Sequence, residues 1–266
     1  MRFLYLTNER FPTRDAVSIQ QMHVAESFAE LGMDLTFIRP YFHDMAHFHT
    51  NEIYYFYGIN KEFKMRVLPS LLSLSKPRYG IDIGYHKTRR DRKMFPGIGG
   101  ASILCSTWGF ILSQSVEKMF DEPTVVYSRN LNSAYMFLKQ KNRLLEKKPL
   151  KVFMEAHALS QEPEHIFQYV ISHCDGIISI TRALKEDLIA RFHLDPDMIH
   201  VAPDGVRQIN GSTADRHQLR RQLSIPNPEK KLVVYSGGFS PGKGAELLIQ
   251  AAAYFDGNTQ FYLLGG

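Results

Sequence analysis

The sequence predicts an α/β protein in which a Rossmann-like, doubly wound parallel sheet is followed by the start of a second Rossmann-like domain. Strand-like and helix-like segments alternate along the chain, which is typical of parallel sheets with crossover helices. Gly32 stands where the first helix has to end before the next strand. A polar segment over 208–213 interrupts the alternation and indicates a domain boundary after residue 207.

The first βαβ unit is predicted from local signals. Residues 2–7 have the composition of a buried strand, and residues 34–38 that of its parallel neighbour. Between them we expect a helix from about Ile19 to Leu31. Ser18 is its expected cap and Gln21 would complete a capping box.

The other elements follow from the same periodicity. In the first domain we expect strands over 53–57, 63–68, 124–128, 150–155, 176–180 and 198–202, and helices over 98–120, 130–145, 164–173 and 181–192. In the second we expect a short helix ending near Leu223, strands over 231–236 and 260–264, and a helix over 244–255. The domains therefore span 1–207 and 208–266. Roughly 60 residues are few for an α/β domain, so we expect the second to be truncated or completed by a partner.

Composition narrows the class of protein. Of 266 residues, 44% are apolar and 22% are charged, which is typical of soluble globular chains. No apolar run reaches the roughly 18 to 20 residues of a membrane-spanning helix. Cys105 and Cys174 are the two cysteines, which argues against a disulfide framework and fits a cytoplasmic protein.

Much of the net charge of +5 comes from a basic stretch over residues 76–93. This stretch is either a solvated face or a contact with anionic lipid headgroups at the inner face of the membrane. No nucleic-acid-binding module accompanies it, so we expect no nucleic-acid partner.

A glycine-rich loop is the strongest candidate site. It follows the strand at 231–236, contains Gly237 and Gly238, and leads through Lys243 and Gly244 into a helix. Amides at a helix N-terminus and a lysine together favour phosphate; the alternative is a tight turn with a solvated lysine. The spacing from Gly237 to Lys243 also fits a P-loop, but Gly244 stands where a P-loop needs Ser or Thr.

Three further candidates follow predicted strands of the first domain, where ligands of open α/β sheets bind. Arg10, Thr13 and Arg14 could meet phosphate or acceptor, or form an ordinary surface loop. Arg129 suits an anionic group or a salt bridge. His157 could face a substrate or be satisfied in the core. The spacing of the three histidines at 43, 47 and 49 matches no standard metal site, so we expect no metal.

Several of these motifs resemble those of family-4 glycosyltransferases (glycosyl transferases group 1). The loop has Tyr235, Gly237, Ser240, Pro241, Lys243 and Gly244 in the places of that family's Y-V-G-R-L-S-P-x-K-G signature. Residues 155–157 resemble its E-x-H motif. Residues 3–37, 174–188 and 199–206 are similar to its opening unit, its A-D-x-I-I stretch and its P-N-G-V passage. This chain departs from the family at Gly238, where an arginine is usual, and at Arg207 and Met33.

The resemblance implies a GT-B fold and a metal-independent hexosyltransferase with no cofactor. The first domain would hold a glycan or lipid-linked acceptor, and the second a nucleotide-diphospho-sugar donor (UDP-, GDP- or ADP-sugar). Lys243, with Gly237, Gly238, Gly244, Gly205 and Arg129, would bind the donor phosphates, and His157 would face the transferred sugar. Transfer with retention, in envelope or cell-surface polysaccharide synthesis, is the expected activity. The family's Glu-x7-Glu motif would lie beyond Gly266, so we expect the chain alone to be inactive.

Two other functions stay open on the sequence. A P-loop phosphotransferase is the first and would hydrolyse ATP with Mg²⁺. A degenerate, non-catalytic transferase module is the second, and Gly238 in place of the family arginine favours it. Such a module would bind the acceptor without binding nucleotide.

Overall fold

The architecture is described from a computed structural model of the chain. It describes residues 1–42, 45–69, 114, 122–145, 149–159, 164–206, 215–239 and 241–265, with side chains omitted over 140–145. The chain divides into two compact units, Met1–Arg207 and Gln208–Gly266. Each is considered by itself.

The first unit contains a seven-stranded parallel sheet. Its strands are β1 (Arg2–Leu6), β2 (Asp34–Pro40), β3 (Lys64–Leu68), β4 (Thr124–Ser128), β5 (Leu150–Ala156), β6 (Gly176–Ser179) and β7 (Ile199–Val201). They are arranged in the order β3-β2-β1-β4-β5-β6-β7. Because the order reverses between β1 and β4, a crevice opens there at the carboxyl ends of the strands.

Helices cover both faces of this sheet. They are α1 (Ala16–Glu30), α2 (Thr50–Tyr57), α3 (Leu131–Leu145), α4 (Glu164–His173) and α5 (Arg182–Phe192). Alternate residues of β1 enter two separate cores. Leu4 and Leu6 pack in one core with Phe137 of α3, whereas Tyr5 packs in the other with Met22 of α1. The fold is therefore doubly wound, as the sequence predicts.

Two local predictions were wrong. Helix α1 begins at Ala16, and its N-cap is Asp15, whose carboxylate accepts from the Ser18 amide at 2.7 Å. Residues 53–57 are helical, not a strand. The helix there is fixed by a capping box between His49 and Glu52 and by Gly58 at its end, which has a φ of 62°. These backbone signals outweigh the β propensity of its aromatic residues.

Several predictions fall largely outside the described residues. The helix expected over 98–120 does so, apart from Gln114, which is helical. The basic stretch over 76–93, Cys105 and His43 also lie outside them. Among the helices that are described, none is both long and apolar enough to cross a membrane.

The second unit contains one βαβ arrangement and a preceding helix. Its elements are α6 (Arg216–Gln222), β8 (Lys231–Ser236), α7 (Ala245–Ala252) and β9 (Thr259–Leu264). Strands β8 and β9 pair in parallel from Lys231↔Thr259 to Ser236↔Leu264. This places the glycine-rich loop at the carboxyl end of β8, before α7.

Candidate functional site

The loops after β1 and β4 are tied together at the crevice. Ser128, which pairs with Leu6 across the two strands, donates from its hydroxyl to the Leu6 carbonyl at 2.9 Å. Asn130 accepts from the Ser133 amide at 3.1 Å, and its amide nitrogen donates to Glu9 at 3.4 Å. These bonds hold the segment from Ser128 to Asn130 beside the loop that follows β1.

Five side chains form a continuous polar chain along this edge of the sheet. Arg129 donates through Nη1 to the side-chain oxygen Oε1 of Gln20, and Gln20 donates through Nε2 to the carboxylate oxygen Oδ1 of Asp204. The other Asp204 oxygen lies 3.8 Å from Nδ1 of His157. Nε2 of His157 in turn contacts Oε1 of Glu155. The chain joins α1 to the segments after β4, β5 and β7.

Burial dominates the electrostatics of this polar chain. It lowers the pKa of Arg129, while Tyr5 and Asp204 act in the opposite direction. It also raises the pKa of Tyr5 well above its ordinary value, with a further contribution from Glu155. The site therefore holds one partly desolvated cation among carboxylates, in surroundings where charge interactions are stronger than in water.

His157 has carboxylates at both of its ring nitrogens. Its side chain is 19% exposed, and Glu155 is more deeply buried than Asp204. Carboxylate neighbours fix the orientation of an imidazole ring. Glu155, His157 and Asp204 also present ligand atoms within 4.8 Å of one another, a geometry that could hold a cation. The expectation that no metal binds stays a prediction.

The predicted acceptor loop is fixed from α2. Tyr57 accepts a hydrogen bond from the Thr13 amide at 2.7 Å and donates one to the Thr13 carbonyl at 2.8 Å. The Thr13 hydroxyl donates to Asp15, the cap of α1. Phe11, which precedes a cis proline, packs edge-on against Tyr57. The loop is thus anchored at its centre by two backbone bonds to one buried side chain.

The two arginines of this loop lie in different surroundings. The guanidinium of Arg10 lies 4.9 Å from the centre of the Phe42 ring. Arg14 is exposed and lines an open cleft of about 910 Å³ with Phe48, Tyr55 and residues of α2. No described hydrogen bond connects Thr13 or Arg14 to the polar chain. The candidate side chains predicted in the first unit therefore form two separate groups. Arg129 and His157 belong to the polar chain, whereas Arg10, Thr13 and Arg14 belong to the acceptor loop.

The glycine-rich loop of the second unit is closed by its own contacts. Tyr235 donates to the Gly238 carbonyl at 2.7 Å, and the Gly237 amide donates to the Leu264 carbonyl at 2.9 Å. Gly244, the N-cap of α7, has a φ of 85°, a conformation that suits glycine and strains other residues. Lys243 is exposed beside it, while Ser240 lies outside the described residues. Gly205, in the first unit, follows Asp204 and faces open space.

Sequence reasoning missed residues of the polar chain, including Gln20 and Asp204. Gln20 lies one turn inside α1 and carries no local sign of its role. Asp204 immediately precedes Gly205 and follows β7, so the rule that ligands gather at strand ends could have identified it.

Comparison with known proteins identifies the fold. No family model matches the chain. HepE from Anabaena, solved with UDP, matches 99% of this chain and 60% of its own length, with a TM-score of 0.63 and 15% identity. The catalytic domain of starch synthase IV from Arabidopsis thaliana, bound to ADP and acarbose, gives a TM-score of 0.65 at 11% identity, over 99% of this chain and 68% of that one. The chain has the GT-B fold of glycosyltransferases.

Curated relatives point in the same direction. The chain is similar to a D-inositol 3-phosphate glycosyltransferase of Xylanimonas cellulosilytica, with 29% identity over 105 residues, which is 37% of this chain and 25% of that protein. It matches the enzyme of the same name from Mycolicibacterium gilvum at 30% identity over 86 residues, or 32% and 19% of the two chains. The matched segments thus span about a quarter or less of these relatives, and together with the fold they support a GT-B glycosyltransferase.

Proposed function

We propose that the chain belongs to a glycosyltransferase that moves a hexose-type sugar from a nucleotide-diphospho-sugar to a glycan or lipid-linked acceptor, with retention. The observation that carries the proposal is the polar chain from Arg129 to Glu155, which includes His157 and supports a role for it at the carboxyl edge of this sheet. An imidazole held at this position, in one polar chain with a half-buried cation, suits contact with a sugar whose diphosphate is leaving. Structures of HepE with UDP and with UDP-glucose support a UDP-sugar as the first donor to test.

The donor phosphates are assigned to the glycine-rich loop. Lys243 and the amides at the start of α7 supply positive charge without a metal, which stabilises a leaving diphosphate. Gly237, Gly238 and Gly244 let the backbone approach the phosphates. Gly205 and Arg129 are the residues of the first unit that we propose for phosphate contact. Gly238 stands where the family's arginine would add a second cation, so we expect weak donor binding.

The acceptor is assigned to the first domain, 1–207, and the loop with Arg10, Thr13 and Arg14. Because the curated relatives are named for D-inositol 3-phosphate, that compound is a rational first acceptor. We place the protein in the cytoplasm, in contact with the inner face of the membrane through residues 76–93, and assign it to envelope or cell-surface polysaccharide synthesis. We further propose that the 266-residue chain alone does not transfer sugar.

The test compares the full-length product of the gene that encodes this chain with the chain alone. Release of nucleoside diphosphate is measured from UDP-, GDP- and ADP-sugars, with and without D-inositol 3-phosphate or glycan acceptors, in EDTA. His157→Ala should lower kcat about 100-fold, on the order of the loss of one group that stabilises the transition state. The control is His200→Ala, which replaces an exposed histidine on β7 and should leave kcat unchanged.

Other outcomes would assign a different function. Mg²⁺-dependent ATP hydrolysis without sugar transfer would favour a P-loop enzyme. The left-handed Gly244 argues against that function because a P-loop serine would be strained there. Acceptor binding without nucleotide binding would indicate a non-catalytic module. Transfer by the 266-residue chain alone would refute the proposed inactivity.

A further inference from the structure

Asn8 is buried at the carboxyl end of β1 without a hydrogen-bond partner. The residue is 3% exposed. Neither Oδ1 nor Nδ2 has a partner among the described residues, and within those ranges no other side-chain amide leaves both of its atoms unpaired and buried. Its neighbours differ in this respect. Thr7 accepts from the Glu9 amide at 3.1 Å, and both ends of the Asn130 amide are bonded.

An unpaired buried amide lowers the stability of the fold. It has lost its hydrogen bonds to water and has gained none in return, whereas an apolar side chain of the same shape would avoid that loss. Native proteins leave such groups in place mainly where they have another use. The position of Asn8, two residues after the end of β1 and beside the β1–β4 crevice, is one at which open α/β sheets bind ligands.

The chemistry of the side chain limits what it can bind. A carboxamide presents a donor and an acceptor next to each other. A phosphate oxygen can only accept and an ammonium group can only donate, so either would leave one atom of the amide unpaired. A hydroxyl group both donates and accepts and can pair with the whole amide.

We propose that Asn8 binds a hydroxyl group of a sugar or polyol substrate. Asn8 would thereby recognise an uncharged part of that substrate, whereas the cations of the site would bind its charged groups. The inference rests on the proposed function in naming a sugar as the source of the hydroxyl. That hydroxyl belongs either to the transferred sugar of the donor or to the acceptor.

The first measurement is the ligand-free stability of the full-length protein. Asn8→Leu should lower the unfolding equilibrium constant about tenfold, because it removes an unpaired polar group. The matched control is Asn130→Leu. It should raise that constant, since both ends of its amide are bonded. If Asn8→Leu folds but is less stable than the parent protein, the amide has a partner in the free state and the proposal is overturned. Asn8→Ala repeats the binding comparison should the leucine variant fail to fold.

The second measurement is binding by calorimetry, with UDP, UDP-glucose, glucose and myo-inositol as probes. If the hydroxyl belongs to the donor, Asn8→Leu should weaken the binding of UDP-glucose about tenfold and leave the binding of UDP unchanged. If the hydroxyl belongs to the acceptor, the substitution should instead weaken the binding of glucose or myo-inositol. If the variant is stabilised but binds every probe as tightly as the parent protein, the role of Asn8 is refuted and the proposed function is not affected. A parent protein that binds no sugar probe refutes the proposed function and the sugar assignment together.

Discussion

Tyr57→Phe is expected to release the acceptor loop without disturbing the core. The substitution removes only the hydroxyl that accepts from the Thr13 amide and donates to the Thr13 carbonyl. The ring keeps its edge-on packing against Phe11. Because burial raises the pKa of Tyr57, the hydroxyl retains its proton, and with it the donated bond, through the neutral range and beyond pH 10.

The expected magnitude follows from two hydrogen bonds. Each contributes about 0.5 to 1.5 kcal/mol net, so the loop should lose about 1 to 3 kcal/mol against local opening. At 1.4 kcal/mol for each factor of ten, the protection of the Thr13 amide should fall by roughly 5- to 140-fold. Thr13 is only partly buried and water can replace part of each bond, which favours the lower half of this range.

The assay is amide hydrogen exchange over residues 9–15, with Tyr55→Phe as the control. Tyr55 lies on the same helix but is 90% exposed, and no hydrogen bond of its hydroxyl is described. Faster exchange confined to the loop in Tyr57→Phe, with no change in Tyr55→Phe, is the expected result. Equal protection of Thr13 in Tyr57→Phe and the parent protein would refute the anchoring role.

Two further predictions concern the start of α1 and the membrane. Burial acts to raise the pKa of Asp15, but hydrogen bonds from Thr13 and Ser18 outweigh it and hold the pKa below its ordinary value. The Asp15 contribution is therefore present above the unfolded-state pKa and is lost as the pH falls through the lower folded-state pKa. Asp15→Ala should lower the free energy of unfolding by about 1 kcal/mol at pH 7 and by less at pH 3, measured by urea denaturation; an equal loss at both pH values would contradict this. Joint replacement of Arg89, Arg90 and Arg92 by alanine should reduce sedimentation with anionic vesicles, and unchanged sedimentation would rule out that surface.

The parts of the fold that were predictable have strong local signals. Strands β1, β4 and β5 are short apolar runs, and each precedes a helix with its own periodicity. The prediction failed at α2, where a run of aromatic residues suggested a strand. The structure shows that this segment is decided by its ends, where Glu52 accepts from the His49 amide at 2.7 Å and Gly58 is left-handed. Capping is a short pattern that a propensity reading over five residues overlooks.

The site was predictable only where one strand was enough to locate a residue. Arg129 and His157 were expected because each follows a buried strand directly. Gln20 could not be expected, because its role depends on a contact with Asp204 across 184 positions of sequence. Asn8 is identified by a missing hydrogen bond, which no sequence pattern records.

The polar chain also shows why a neutral amide suits its centre. Gln20 accepts from a cation at one end and donates to a carboxylate at the other, so it connects Arg129 to Asp204 without adding charge of its own. A carboxylate there would face Asp204 as a like charge, and an ammonium group would face Arg129 in the same way. The amide therefore links one half-buried arginine through α1 to the segment after β7, and Asp204 continues the link to His157. The orientation of that histidine consequently depends on four segments that the doubly wound sheet brings to one edge.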